Sequence, residues 1–278
     1  MSADSTSVLS IQDLSIRFGG LSALSNVNIE VERGHIHSVI GPNGAGKTTF
    51  FNCLTSLVQP SKGRMYLDRV RIDSLKPYVV ARHGVARTYQ NIRLFQNLTC
   101  IENVLLGMSR HMRASVLGQI LASPTCRREE RESMEKARHL LNYVGLNGRG
   151  DMLARTLPYG EQRRLEIARA IAGAPKLLLL DEPAAGMNSA ESLDLMRLIR
   201  AIRSDFAVTI LLIEHHMKLV MDLSDWVSVL DHGILIAEGP PLKVQNDPVV
   251  LKAYLGSRAA RVDLASGKEL DPVGRTGA

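Results

Sequence analysis

The chain has 278 residues, 45% hydrophobic and 22% charged, an ordinary balance for a soluble fold long enough to bury a core without disulfides or a structural metal. No apolar run approaches the roughly 20 residues that a bilayer span needs, and three cysteines (Cys53, Cys100, Cys126) without a C-x-x-C, behind a start, MSADSTSV, that shows no secretory pattern, argue for reduced thiols in a cytosol; a membrane channel, a secreted enzyme and a zinc module are excluded. The net charge of +6 admits a nucleotide, a nucleic acid or a membrane surface as partner without choosing among them, although 4% aromatic content is thin for stacking single-stranded bases.

In chain order, residues 8–40 alternate as strands do, with Val27, Ile29 and Val31 on one face and Asn28, Glu30 and Glu32 on the other. A short strand, 35–40, runs into Gly41, and a helix is expected over 48–58. Ser61-Lys62-Gly63 reads as a turn, 64–72 as a strand pair, 77–83 as a helix stopped by Gly84, and 85–89 as a strand. Residues 99–145 carry helical patterns, with Met134, Ala137, Leu141 and Val144 on one face and Gly145 at the end. The alternation then resumes: helix 161–172, strand 177–180, a helix opened by the capping-box variant Asn188-Ser-Ala-Glu191 with Leu195, Leu198, Ile199 and Ile202 inward, and strand 208–213. A short helix, two strands around His232-Gly233 and small helices to Leu255 follow; 257–278, polar and Gly-rich, is expected to be a flexible tail. Alternating strands and helices imply an α/β fold with a buried parallel sheet, and the helical stretch near 90–160 is an insertion.

Gly41-Pro42-Asn43-Gly44-Ala45-Gly46-Lys47-Thr48 fits G-x-x-x-x-G-K-[ST] between a strand and a helix. Glycines let the backbone curl so that successive N–H groups face one anion, and the helix adds its positive end. Lys47 can reach β- and γ-phosphates, the Thr48 hydroxyl can ligate Mg²⁺, and Thr49 continues the phosphate-binding run. Far along the chain, Leu177-Leu-Leu-Leu-Asp181-Glu182-Pro183 is a buried strand ending in two acids. Asp181 suits the Mg²⁺ shell and Glu182 the polarisation of an attacking water.

These motifs, with four lesser ones in order, resemble the ATP-binding subunits of ABC transporters over about residues 8–256. Gln90, in Arg87-Thr-Tyr-Gln90-Asn, resembles the Q-loop residue; Leu157-Pro158-Tyr159-Gly160-Glu161-Gln162 resembles the family signature; Ala185-Gly-Met-Asn188 lies where the D-loop belongs; His215 lies where the switch histidine belongs. Phe18 occupies the place of the aromatic that stacks on adenine. Finer features, among them Arg17-Phe18-Gly19-Gly20-Leu21, Tyr159, the tract 163–170 and the ending Ala253-Tyr-Leu-Gly256, resemble the LivG-like ATPases of branched-chain amino acid importers.

The resemblance implies a P-loop NTPase core with an N-terminal antiparallel β subdomain and an inserted helical subdomain, forming one nucleotide-binding domain, 1–256. It implies ATP and Mg²⁺ as cofactors, Glu182, His215 and Gln90 as catalytic residues, Thr48, Gln90 and Asp181 around the metal, and Tyr159, Gly160 and Glu161 completing the ATP site of a second subunit. The implied partners are two transmembrane permeases, a second ATP-binding subunit in a heterodimer and a periplasmic or surface solute-binding protein, without nucleic acid. The implied place is peripheral, on the cytoplasmic face of a bacterial inner membrane. Other readings are an ABC ATPase for urea, amides or lipid export, or a non-transport ATPase on ribosomes or nucleic acid; the last usually has two cassettes or a long coiled-coil insertion, and this sequence has neither. Pro158 stands where many members have serine, removing a hydroxyl and an N–H; Asn188 replaces an aspartate; His216 stands where an acid is common. The charge run 127–132 reads as a solvated helix face.

Overall fold

The computed structural model describes residues 7–108 and 124–259. Strands β1 (Ser7–Phe18) and β2 (Leu21–Glu32) form an antiparallel pair, and their alternation puts Val27, Ile29 and Val31 in the core and Asn28, Glu30 and Glu32 in solvent. β3 (Ile36–Ile40) is buried along its whole length, as a strand covered on both faces must be. It leads into α1 (Lys47–Leu54), β4 (Lys62–Leu67), β5 (Val70–Arg71), α2 (Pro77–His83) and β6 (Val85–Arg87). Helices α3 (Cys100–Met108) and α4 (Pro124–Tyr143) belong to the inserted region, and α5 (Tyr159–Ala172) closes it. The chain continues through β7 (Leu177–Asp181), α6 (Ser189–Asp205), β8 (Thr209–Ile213), α7 (Met217–Leu223), β9 (Trp226–Asp231), β10 (Ile234–Gly239), α8 (Pro241–Gln245) and α9 (Pro248–Ala259).

Two sheets result. The smaller is antiparallel, in the order β2-β1-β4-β5; the larger runs β10-β9-β3-β8-β7-β6, parallel except for β10. One apolar cluster fills the space between the sheets around Phe50, Phe51, Leu9 and Leu211; a second joins the other face of the large sheet to α3, α4, α5 and α6. The α/β core, the antiparallel β subdomain and the helical insertion are therefore the ones expected. Among the described residues, no helix is long and apolar enough to cross a membrane.

Several boundaries differ. α1 ends at Leu54 rather than 58, because Ser56 adopts φ +54° and the chain turns there. Gly63 lies inside β4, not in a turn: a side chain there would meet the Gln12 and Asp13 carbonyl oxygens at 2.7 Å, so the strands can approach only across glycine. β6 stops at Arg87, freeing 88–93 to form a loop. α5 starts at Tyr159 rather than 161, with Pro158 just ahead of it at the N-cap. α9 continues to Ala259, into the segment expected to be a tail; 260–278, and 109–123 of the insertion, lie outside the described residues. The side chains of residues 128–132 are exposed and Arg128 pairs with Glu132 at 2.8 Å, as a solvated face requires. Cys53 and Cys100 are free and buried, and burial pushes their thiols up to about 12 and about 11.

Candidate nucleotide site

Parallel pairing gathers the site. β3, β8, β7 and β6 are neighbours, and β3, β7 and β8 end, respectively, at the Gly41 loop, at Asp181-Glu182 and at Glu214-His215. Gln90 follows the end of β6. Residues far apart in sequence thus meet beyond the carboxyl ends of one sheet, the place where open α/β sheets bind ligands.

The Gly41–Thr48 loop curls tightly. Gly41 has φ +150° and Gly46 φ +99°, and a side-chain carbon at either would strike main chain, the Leu230 oxygen at 2.0 Å or the Ala23 oxygen at 2.6 Å. Gly46 caps α1 in the left-handed conformation, so the helix N–H groups open directly onto the loop. Lys47 folds inward, donating from Nζ to the carbonyls of Gly41 (2.7 Å) and Pro42 (2.8 Å). Burial pulls its pKa down, opposed by the carboxylates of Glu182 and Asp181. Asn43, Gly44 and Thr48 are exposed, Ala45 is buried, and Pro42 and Thr49 are half-buried. Phe18, at the tip of the β1–β2 hairpin, is 50% exposed and not part of the core.

Three expected catalytic residues meet. Glu182 sits immediately after β7 with φ +46°, its N–H bonded to the Ile213 carbonyl at 2.9 Å. Its Oε1 lies 2.6 Å from His215 Nε2, and its Oε2 accepts from Gln90 Nε2 at 2.8 Å. Buried Glu214 fixes the turn beneath, accepting from the N–H groups of Ala184 and His215, both at 3.1 Å. His216 is the exposed N-cap of α7 and has no part in this contact.

Asp181 has a partner that sequence reading missed. Arg87, at the end of β6, donates from Nη2 to Asp181 Oδ2 at 2.8 Å, with both side chains about 95% buried. Arg87 also donates to Asn52 Oδ1 at 2.8 Å and lies over the rings of Phe51 and Tyr89. An arginine three residues before Gln90, on the strand beside β7, was the available signal. The Thr48 hydroxyl, the Gln90 amide oxygen and the Asp181 carboxylate are hard oxygen donors of the kind Mg²⁺ takes. Among the described residues there is no group of three or more His, Cys, Asp or Glu that could hold a metal.

The signature residues do not join this cluster. Tyr159 and Gly160 form the first turn of α5, with Tyr159 45% exposed and its ring against Gly186. Glu161 turns back into its own chain, accepting from Arg149 Nη2 at 3.3 Å. The other residues missed from sequence are Arg163 and Glu166, a fully buried pair on α5 at 2.7 Å. Their helical spacing with Ile167 and Ile171 was the signal that they face inward.

The sequence profile of the ABC transporter family matches residues 24–185, more than half of the chain. The chain belongs to the ABC transporter family. A second profile, described as branched-chain amino acid ATP-binding cassette transporter, matches residues 235–260. The high-affinity branched-chain amino acid transport ATP-binding protein BraF of Pseudomonas aeruginosa is 49% identical over 249 residues, covering 90% of this chain and 98% of the relative. The corresponding protein LivG of Escherichia coli is 45% identical over the same shares. Among solved structures, the ADP conformation of MJ1267, an ATP-binding cassette of an ABC transporter, superposes with a TM-score of 0.78 at 30% identity, covering 91% of this chain and all of that one. This family cassette confirms the fold expected from the motifs.

Proposed function

We propose that this chain is the ATP-hydrolysing subunit of an ABC importer that takes up branched-chain amino acids or related small solutes. The observation that carries the reading is the hydrogen-bonded trio Gln90–Glu182–His215 beside a buried Lys47 and a glycine-curled loop. The names of the relatives BraF and LivG support the cargo.

The Gly41–Thr49 loop and the start of α1 receive the phosphates of ATP, and Phe18 stacks on the base. Lys47 exchanges its two carbonyl acceptors for phosphate oxygens. Glu182 orients the attacking water and draws its proton; each carboxylate oxygen keeps a lone pair for this beside its present partner. His215 donates to the γ-phosphate, and Gln90 holds Glu182 in register. Thr48, Gln90 and Asp181 would hold Mg²⁺, which would offset charge on the phosphates.

Tyr159, Gly160 and Glu161 serve the ATP of a second ATP-binding subunit, a different chain, while two permeases carry the pore and a periplasmic or surface protein captures the solute. The chain works at the cytoplasmic face of a bacterial inner membrane, with the helical insertion passing nucleotide-driven movement to the permeases; nucleic acid has no part. Residues 1–256 act as one nucleotide-binding domain.

Glu182→Gln tests the chemistry. In the assembled transporter it should keep ATP affinity and lower turnover by about 100-fold or more, the range for loss of a general base. Unchanged turnover would remove Glu182 from its role, and failure of labelled leucine to enter cells that carry the complex would remove the cargo.

A further inference from the structure

Helix α5 carries a charge pair that none of these steps uses. Arg163 and Glu166 are both fully buried and bond at 2.7 Å. Taking two charges out of water costs several kcal/mol per ion, and replacing such a pair by apolar side chains is often neutral or stabilising. Stability alone is therefore a weak reason for the pair.

Its other bonds give a stronger one. Arg163 Nη1 donates to the Tyr89 carbonyl at 2.6 Å, and Nη2 to the Gln90 carbonyl at 2.8 Å. Glu166 Oε1 accepts from the N–H groups of Arg93 at 3.0 Å and Tyr89 at 3.4 Å. Arg163 Nη2 also donates to the Tyr159 hydroxyl at 3.3 Å, and its Nε has no hydrogen-bond partner; the other bonds of the pair go to the main chain of the loop that follows β6. That loop has no strand pairing of its own after Thr88, whose N–H reaches the Leu179 carbonyl. The side chain it presents is Gln90, 2.8 Å from Glu182.

We infer that Arg163 and Glu166 are positioning residues for hydrolysis: a buried ion pair that fixes the main chain of residues 89–93 so that the Gln90 amide meets Glu182. The inference rests on the hydrolytic reading above. The planar guanidinium serves two carbonyls and a carboxylate at once, which the single ammonium of lysine cannot do in the same geometry. The pair touches neither the phosphate loop nor Lys47, so ATP bound at this subunit's own loop keeps its contacts and the effect falls on turnover; the Tyr159 hydroxyl, 3.3 Å from Arg163, ties the pair to the signature turn as well. A misplacement of about 1 Å at a catalytic contact can cost about 100-fold in rate.

The test is the double variant Arg163→Met/Glu166→Leu in the assembled transporter, read by thermal unfolding, ATP titration, turnover and amide exchange over residues 89–93. The apolar pair fills the site and leaves no buried charge unpaired; the exposed loop exchanges its lost partners for water. The expected result is a folded subunit with ATP affinity within about threefold of wild type, turnover reduced at least about tenfold and faster exchange at the amides of Tyr89 and Arg93. Turnover within twofold of wild type, or turnover and affinity falling together, would overturn the inference. Arg163→Lys keeps the charge should the double variant not fold, and the same split between turnover and affinity is expected of it. Wild-type and Glu182→Gln complexes run in parallel: no difference between those two sinks the hydrolytic reading, whereas a difference with a fully active double variant sinks only the positioning role.

Discussion

At Gly41 a side-chain carbon would lie 2.0 Å from the Leu230 carbonyl oxygen and at Gly46 2.6 Å from that of Ala23, whereas at Gly160 the nearest atoms are the Glu191 carboxylate oxygen at 3.7 Å and the Met187 methyl at 4.0 Å. Gly41 and Gly46 also hold positive φ; Gly160 sits in the ordinary first turn of a helix. Gly41 and Gly46 must be glycine because their own chain leaves no room for anything else, whereas Gly44 between them has open space. The start of α5 has that room. A need for a bare backbone at Gly160 would therefore have to come from outside the chain, and the nucleotide of the proposed second subunit would supply it.

Substitution separates the two cases. Gly41→Ala should have the largest effect: the clash is with main chain, nothing flexible can yield, and the cost is about 3 kcal/mol or more. The isolated subunit should lose ATP binding, seen by titration, along with several degrees of thermal stability. Gly160→Ala should leave unfolding temperature and ATP binding of the isolated subunit unchanged, since the new methyl meets only ordinary contacts. In the assembled transporter the same change should lower turnover about tenfold or more, the loss of at least ~1.4 kcal/mol of transition-state stabilisation. A Gly160→Ala subunit that is itself unstable would break the comparison, and one fully active in the complex would remove the outside partner from that position.

The contrast also marks what could be read from the sequence. The loop 41–48, the stop at Gly84 and the cap at Asn188 are local, each signalled within a few residues, and all stand where expected. Gln90, Glu182 and His215 were placed by the order of motifs, and parallel pairing of β6, β7 and β8 brings them together. Arg87–Asp181 and Arg163–Glu166 were legible only in part: the arginine ahead of Gln90 and the helical face shared with Ile167 and Ile171 signal the residues but not their partners. The first joins side chains on two strands far apart in sequence, and the second takes main-chain carbonyls as partners, which no residue identity reveals. Charges three apart on a helix ordinarily read as a solvated pair; here tertiary packing buries them. The start of α5 was placed late because Tyr159 and Gly160 resemble a loop, while Pro158 at the N-cap pre-sets the chain for a helix one residue on.

Asn188 gives the smallest effect and the closest control. It lies on the same side as Gly160, since Glu191, its partner in the capping box, is Gly160's nearest neighbour. Yet both bonds of the box stay within the chain: Asn188 Oδ1 accepts from the Glu191 N–H at 2.9 Å, and Glu191 Oε2 accepts from the Asn188 N–H at 3.0 Å. Asn188→Ala should therefore cost the isolated subunit about 1 kcal/mol, a shift of roughly 2–4 °C in unfolding temperature, with ATP binding intact. Asn188→Asp keeps the acceptor and adds a negative charge at the helix N-terminus, which the helix favours and the adjacent Glu191 carboxylate opposes. It should unfold within about 1 °C of wild type, within the few tenths of a kcal/mol expected when the two effects offset. If Asn188→Asp instead alters turnover in the complex while stability stays fixed, Asn188 joins Gly160 as a residue whose identity is set from outside the chain, and the line between the two kinds of position moves one helix further from the phosphate loop.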